Sequence, residues 1–177
     1  MSYEMLTSSG LLRVSNVTRE LADDVISMLT EASFDSLLVD ATYLPEKMSA
    51  EEAREWASER AGRAYVMFLD DVPVGWYETG PIHSTCGFET PEGTLEREVW
   101  LVGAARGMRL INKTTELLRH DFLESGVTHL LGVTWDSNLS AKKALLNSGA
   151  TRLGLGLWEH ASYTSGWCEV WLIDLRD

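Results

Sequence analysis

The chain has 177 residues, with 15 Lys plus Arg against 27 Asp plus Glu, a formal charge of −12, and 45% hydrophobic content. That length fits one domain with a core large enough to need no covalent staples. The acidity argues against a nucleic-acid partner, because no basic stretch could neutralise a run of phosphates, and it favours cationic ligands instead.

The elements follow in chain order. A short strand at Leu11–Val14 is an optional start. Thr18 can cap a first helix, with Leu21, Val25, Met28, Leu29 and Ala32 at helical spacing. Residues 33–48 read as a loop. Ser49-Ala-Glu-Glu52 is a capping box that opens a second helix to about Ala61, with Glu51 and Glu52 at its positive end. Tyr65–Leu69 and Val74–Glu78 flank Asp70-Asp71 and predict a β-hairpin. Pro73 would sit at the start of the second strand, where its missing N–H does no harm, and the Pro/Gly-rich segment 81–94 reads as a loop or exposed hairpin tip. Leu95–Val102 predicts a strand, Gly103–Gly107 a connection, and the following helix runs to about Ser125, with Gly126 as its stop. A strand at His129–Trp135, a helix from about Leu139 to Ser148, and two strands near 151–160 and 167–175 complete the chain. The order is that of an α+β fold, with a right-handed parallel crossover across 95–135.

The segment Glu96–Ala150 holds the chemistry. A strand enters Gly103-Ala-Ala-Arg106-Gly107-Met108-Arg109, which opens a helix. Small residues allow close backbone approach, and helix-start N–H groups favour an anion; Arg106 and Arg109 add charge in the same turn. The alternative is plain turn chemistry. After the next strand comes Asp136-Ser-Asn138-Leu-Ser-Ala-Lys-Lys143-Ala, a helix ending in Gly149.

With that combination the chain resembles the GNAT superfamily of N-acetyltransferases, from the first helix to the last strand. The resemblance implies a mostly antiparallel twisted sheet of about six to seven strands with four helices. A central parallel strand pair would splay into a cofactor cleft. It implies a single domain over 1–177 and acetyl-CoA as co-substrate, with no metal. Leu101, Val102 and Gly103 would pair through their backbone with the pantetheine arm. Arg106, Gly107, Met108, Arg109, Leu110 and Ile111 would hold the pyrophosphate; Asn138 would sit near the pantetheine, with the helix behind it, which carries the cofactor-binding candidate Lys143, packed alongside. The family's loop pattern is Arg/Gln-x-x-Gly-x-Gly/Ala, whereas this chain has Arg109 and Ile111 at the two later small positions. Arg109 could pair with a phosphate or obstruct its path. The family's frequent general-acid Tyr corresponds to Leu146, and its aromatic after the terminal glycine to Ala150.

For the base that deprotonates the amine, Glu98 and Glu96 are the candidates, spaced i and i+2 on one strand face. The competing reading makes both solvent-facing, opposite core-facing Val99 and Leu101. Tyr163 or His160 could replace the missing tyrosine as acid, or be a loop Tyr and a surface His. His83, His120 and His129 show no metal-ligand spacing. Cys86 and Cys168 form neither a disulfide framework nor a metal pair, and neither has a visible base partner. The seven Trp are expected mostly in the core or the cleft wall, where Trp and carboxylates could also attract a cation.

The reaction so implied is acetyl transfer to a primary amine of a small molecule, peptide or protein, possibly cationic. The other hypothesis is a GNAT-like binding or structural protein without catalysis, motivated by Arg109, Ile111 and Leu146. The N-terminal MSYEMLTSSG lacks the features of a signal peptide, and no apolar run is long enough for a membrane span. The expectation is therefore a cytoplasmic protein with no membrane partner, as monomer or homodimer, although composition by itself leaves a secreted or virion component open.

Overall fold

The structure is a computed structural model and describes residues 1–21, 50–158 and 166–177. Its strands are β1 (Ser2–Thr7), β2 (Gly10–Asn16), β3 (Ala64–Leu69), β4 (Val72–Gly80), β5 (Thr94–Leu101), β6 (His129–Trp135), β7 (Thr151–Trp158) and β8 (Gly166–Asp174). Its α-helices among the described residues are α1 (Ala50–Glu59), α2 (Leu110–Glu124) and α3 (Leu139–Asn147), with short 3-10 turns at Arg19–Leu21 and Gly103–Ala105. The strand order is β1-β2-β3-β4-β5-β6-β8-β7. Pairing is mostly antiparallel, and β5 with β6 is parallel as expected.

The sheet has eight strands, more than the six to seven expected, because an N-terminal hairpin replaces the single optional strand. β1 and β2 pair from Ser2↔Ser15 to Thr7↔Gly10. β1 lies at the end of the strand order, and its residues alternate between exposed and half-buried. Such an edge strand carries few core residues, so its hydrophobic pattern is weak. Apart from its start at Thr18–Leu21, the first predicted helix lies outside the described residues. The same holds for Ser49 of the capping box and for His160 and Tyr163.

The described residues group into two compact units. One gathers β1–β4, α1, β5 from Glu98 onward and α2 as far as Leu118. The Asp70-Asp71 hairpin turn has positive φ at both residues (48° and 65°), the geometry that matches strand twist in a two-residue loop. Leu12, Val14, Val66, Met67, Tyr77, Leu110 and Leu118 are fully buried in this unit. The Tyr77 hydroxyl is 3.0 Å from Thr115 Oγ1, so a buried phenol is satisfied by the helix. Glu78 is also buried; its carboxylate lies 3.5 Å from Arg60 Nε and 3.3 Å from Arg63 Nε. Arg60 stacks over Trp56 (4.1 Å), and Trp56 packs on Trp76 at 5.1 Å. These Trp contacts are structural, as the core reading expected.

The other unit gathers residues 80–97 and 119–177 of the described chain. Its core includes Leu130, Leu131, Cys168 and Val170. The parallel ladder runs over Thr94–Glu96 against His129–Leu131, while β6 stays paired with β8 to Trp135. The segment after β4 folds down onto β7: a Cβ at Gly154 would meet Phe88 at 2.6 Å, and one at Gly156 would meet Cys86 Cβ at 2.6 Å. Glycine at both positions is what lets that segment lie against the strand. Trp158 and Trp171 are buried here, whereas Trp167 is 58% exposed.

Candidate active site

The connection from β5 to α2 has the form an anion site needs. Gly103–Ala105 is a 3-10 turn, Gly107 has φ 83°, and Arg109 has φ 59°. Lys113 N–H donates to the Arg109 carbonyl at 3.2 Å, so α2 begins immediately after Arg109. The N–H groups of Leu110, Ile111 and Asn112 then have no partner within the helix. No acidic residue stands in the first turn. The left-handed conformation at position 109 is the one glycine adopts freely, and Arg adopts it at a cost of about 1–2 kcal/mol. Position 109 thus has a backbone conformation suited to glycine although its side chain is an arginine's. Ile111 follows inside the first turn of α2, and its carbonyl accepts from Thr115 Oγ1 at 3.1 Å.

The backbone of Leu101, Val102 and Gly103 is already partly engaged. Val102 N–H donates to Val74 O (2.9 Å), Val102 O accepts from Ala105 N–H (3.0 Å), and Gly103 O accepts from Arg106 N–H (3.3 Å). Arg106 Nε donates to Leu101 O at 3.2 Å. This bond ties the exposed Arg106 side chain to the end of β5, a positioning contact that sequence spacing did not reveal. Met108 is half-buried, and Leu110 is fully buried as a core residue.

Asn138 is the N-cap of α3: its Oδ1 accepts the Ala141 N–H at 3.1 Å. Replacing Asn138 by Ala is expected to cost about 1 kcal/mol of stability in urea denaturation. Lys142 and Lys143, adjacent in sequence, differ in role. Lys142 Nζ lies 2.6 Å from Asp136 Oδ1 and 3.1 Å from Glu169 Oε1, and the Asp136 carboxylate holds the ammonium above the usual lysine range. Its charge is neutralised locally, whereas Lys143 is exposed.

The two candidate bases part company. Glu98 is exposed, while Glu96 is buried and accepts the backbone N–H of His83 at 2.6 Å. Arg97, between them, is buried too, so β5 is covered on both faces near Glu96. Simple alternation treats Glu96 and Glu98 alike, and it is the returning segment at 81–84 that distinguishes them. Leu146, at the expected tyrosine position, is 61% exposed, and Ala150 is buried. Cys168 is no nucleophile, since burial pushes its thiol up to about 12. Burial pushes the Cys86 thiol up as well. Among the described residues no group of three or more His, Cys, Asp or Glu is placed to hold a metal ion. No helix among them is long and apolar enough to cross a membrane.

No protein-family model and no curated protein sequence matches the chain. Solved structures do. RimJ from Mycobacterium smegmatis, in complex with CoA-disulfide, superposes with a TM-score of 0.74 at 14% identity, covering 98% of this chain and 87% of its own. An N-acetyltransferase from Staphylococcus aureus Mu50 gives 0.68 at 15% identity, covering 93% and 98%. The microcin C7 self-immunity acetyltransferase MccE, in complex with acetyl-CoA and AMP, gives 0.72 at 13% identity, covering 96% and 98%. An acetyltransferase of the GNAT family from Bacillus anthracis gives 0.71 at 12% identity, covering 98% and 100%.

Proposed function

Because the fold is that of the GNAT acetyltransferases, we propose that this chain transfers an acetyl group from acetyl-CoA to a primary amine. The observation that carries the proposal is the start of α2. In a chain of net charge −12, this helix opens with two arginines just before it and no acid in its first turn. That donor set fits a pyrophosphate: free N–H groups, the positive helix end and two guanidinium groups. Arg106, Gly107, Met108, Arg109, Leu110 and Ile111 would hold it. Leu101, Val102 and Gly103 would supply backbone partners for the pantetheine arm, and the resemblance adds Asn138 and Lys143. Acetyl-CoA supplies an activated thioester; the protein's part is to bind it, orient the amine and remove a proton.

The acceptor is an amine of a small molecule, peptide or protein, and the acidic composition favours a cationic one. The protein would act as a single cytoplasmic domain, as monomer or homodimer, without metal. A second reading, a GNAT-like binding protein without turnover, is favoured by one observation: an exposed aliphatic Leu146 stands where the acid that protonates the leaving thiolate would be. Calorimetry with acetyl-CoA, followed by a thiol-release assay with amines, tests both readings. Sub-millimolar binding with CoA release supports transfer. Binding without release supports the second reading, and no binding rejects both.

A further inference from the structure

Cys86 and Cys168 are far apart in the chain, but both belong to the unit that gathers residues 80–97 and 119–177, and both are free thiols. Cys168 pairs directly with Gly156 across the β7–β8 ladder. Opposite residues of an antiparallel pair point to one face of the sheet, with Cβ positions about 4.5–5.5 Å apart. Gly156 has no side chain, and Cys86 takes its place: the Cys86 Cβ lies 2.6 Å from where a Gly156 Cβ would stand. A disulfide needs Cβ atoms about 3.5–4.5 Å apart, a separation that this stacking allows. Phe88 covers Gly154 in the same way, and Gly154 pairs with Val170. Residues 86–88 therefore run along the face that carries the Cys168 side chain. The two thiols also sense each other, since charge on Cys86 raises Cys168. Cys86 holds φ 50°, a left-handed conformation uncommon outside glycine, and its backbone N–H donates to Ser84 Oγ at 3.1 Å. The position is thus held by a local bond. Cys86 is half-buried and Cys168 fully buried.

We infer that Cys86 and Cys168 are a redox pair that closes to an intrachain disulfide when the chain meets an oxidising low-molecular-weight disulfide. The inference is independent of the transfer reaction. Cys86, the more accessible thiol, reacts first. Its thiolate attacks one sulfur of the oxidant, forming a mixed disulfide and releasing one small thiol. The Cys168 thiolate then attacks Cys86 Sγ, and the bond to the small thiol breaks with its electron pair leaving on that sulfur. Two protein thiols and one small disulfide become one protein disulfide and two small thiols. Burial keeps both cysteines protonated at neutral pH, so the pair rests reduced and Cys168 stays inert toward other electrophiles. Proximity offsets this in the second step, where the attacked sulfur already lies beside Cys168. The bond would tie the segment after β4 to β8.

The test treats the full chain with oxidised glutathione at about pH 8.5, where more of each thiol is ionised, and blocks remaining thiols with iodoacetamide in denaturant. The expected result is loss of both thiols, a mass lower by two hydrogens, and tryptic peptides 64–97 and 153–176 joined until a reductant is added. Cys168→Ser is expected to stop at a glutathione adduct on Cys86, and Cys86→Ser to take up no glutathione. The proposal is overturned if the unaltered chain keeps both thiols, if glutathione stays on Cys86, or if the bond joins two chains. The peptide map of the unaltered chain decides this whether or not either variant folds.

Discussion

Replacing Arg106 and Arg109 together by Ala is expected to weaken acetyl-CoA binding about a hundredfold. A hydrogen bond to a charged group contributes roughly 1.5–3 kcal/mol, and each 1.4 kcal/mol is tenfold in affinity. Calorimetry reads this directly. The single variants separate two effects that the double variant combines. Arg106→Ala also removes the donor to Leu101 O, so it is expected to lose some stability along with affinity. Arg109→Gly should do the opposite on stability. It relieves the left-handed strain at φ 59°, for a gain of up to about 1 kcal/mol, while still lowering affinity. A variant that is more stable yet binds less tightly is the signature of a residue held in strain for a ligand. Affinity unchanged within twofold in the double variant would show that these arginines hold no phosphate.

Glu78→Ala is the substitution with the largest expected effect on folding, a loss of about 3 kcal/mol in urea denaturation. Its carboxylate is 12% exposed and lies between Arg60, at 15%, and Arg63. Removing one member of a buried ion pair costs about 3–5 kcal/mol, because the remaining charge stays desolvated. The lower end applies here, since Arg63 is 43% exposed and can reach water. Glu78→Gln should lose less, as the amide oxygen still accepts. If Glu78→Ala unfolds at the same urea concentration as the unaltered chain, the Arg60 and Arg63 side chains have relaxed into solvent.

Much of this architecture is legible in the amino-acid sequence. The hairpin across Asp70-Asp71, the strand before Gly103, α2 and α3 all follow from local signals: period, turn residues and caps. Asn138 acts within three residues of itself, so its capping role is written in neighbouring sequence. The β1 strand was not legible, because an edge strand with one half-buried face leaves little hydrophobic pattern. The opposite fates of Lys142 and Lys143 were not legible either. Lys142 meets Glu169 on β8, a partner that no helical spacing predicts. The charge of Lys142 is therefore taken up by two carboxylates rather than held for an anion.

The amino-acid sequence by itself determined the order and kind of the elements, the glycine-rich turn before α2 and its two arginines. Those features depend on interactions within a few residues, which composition and spacing encode. Only the tertiary structure decided what each charged group does. It closed Glu96 behind His83 across thirteen residues, left Glu98 in solvent, and enclosed Glu78 between two arginines. It also gave Arg109 a glycine's conformation. The physical reason is that desolvation and partner choice are set by segments that return from far along the chain. The same carboxylate is a solvated surface group or a buried anchor according to what folds over it.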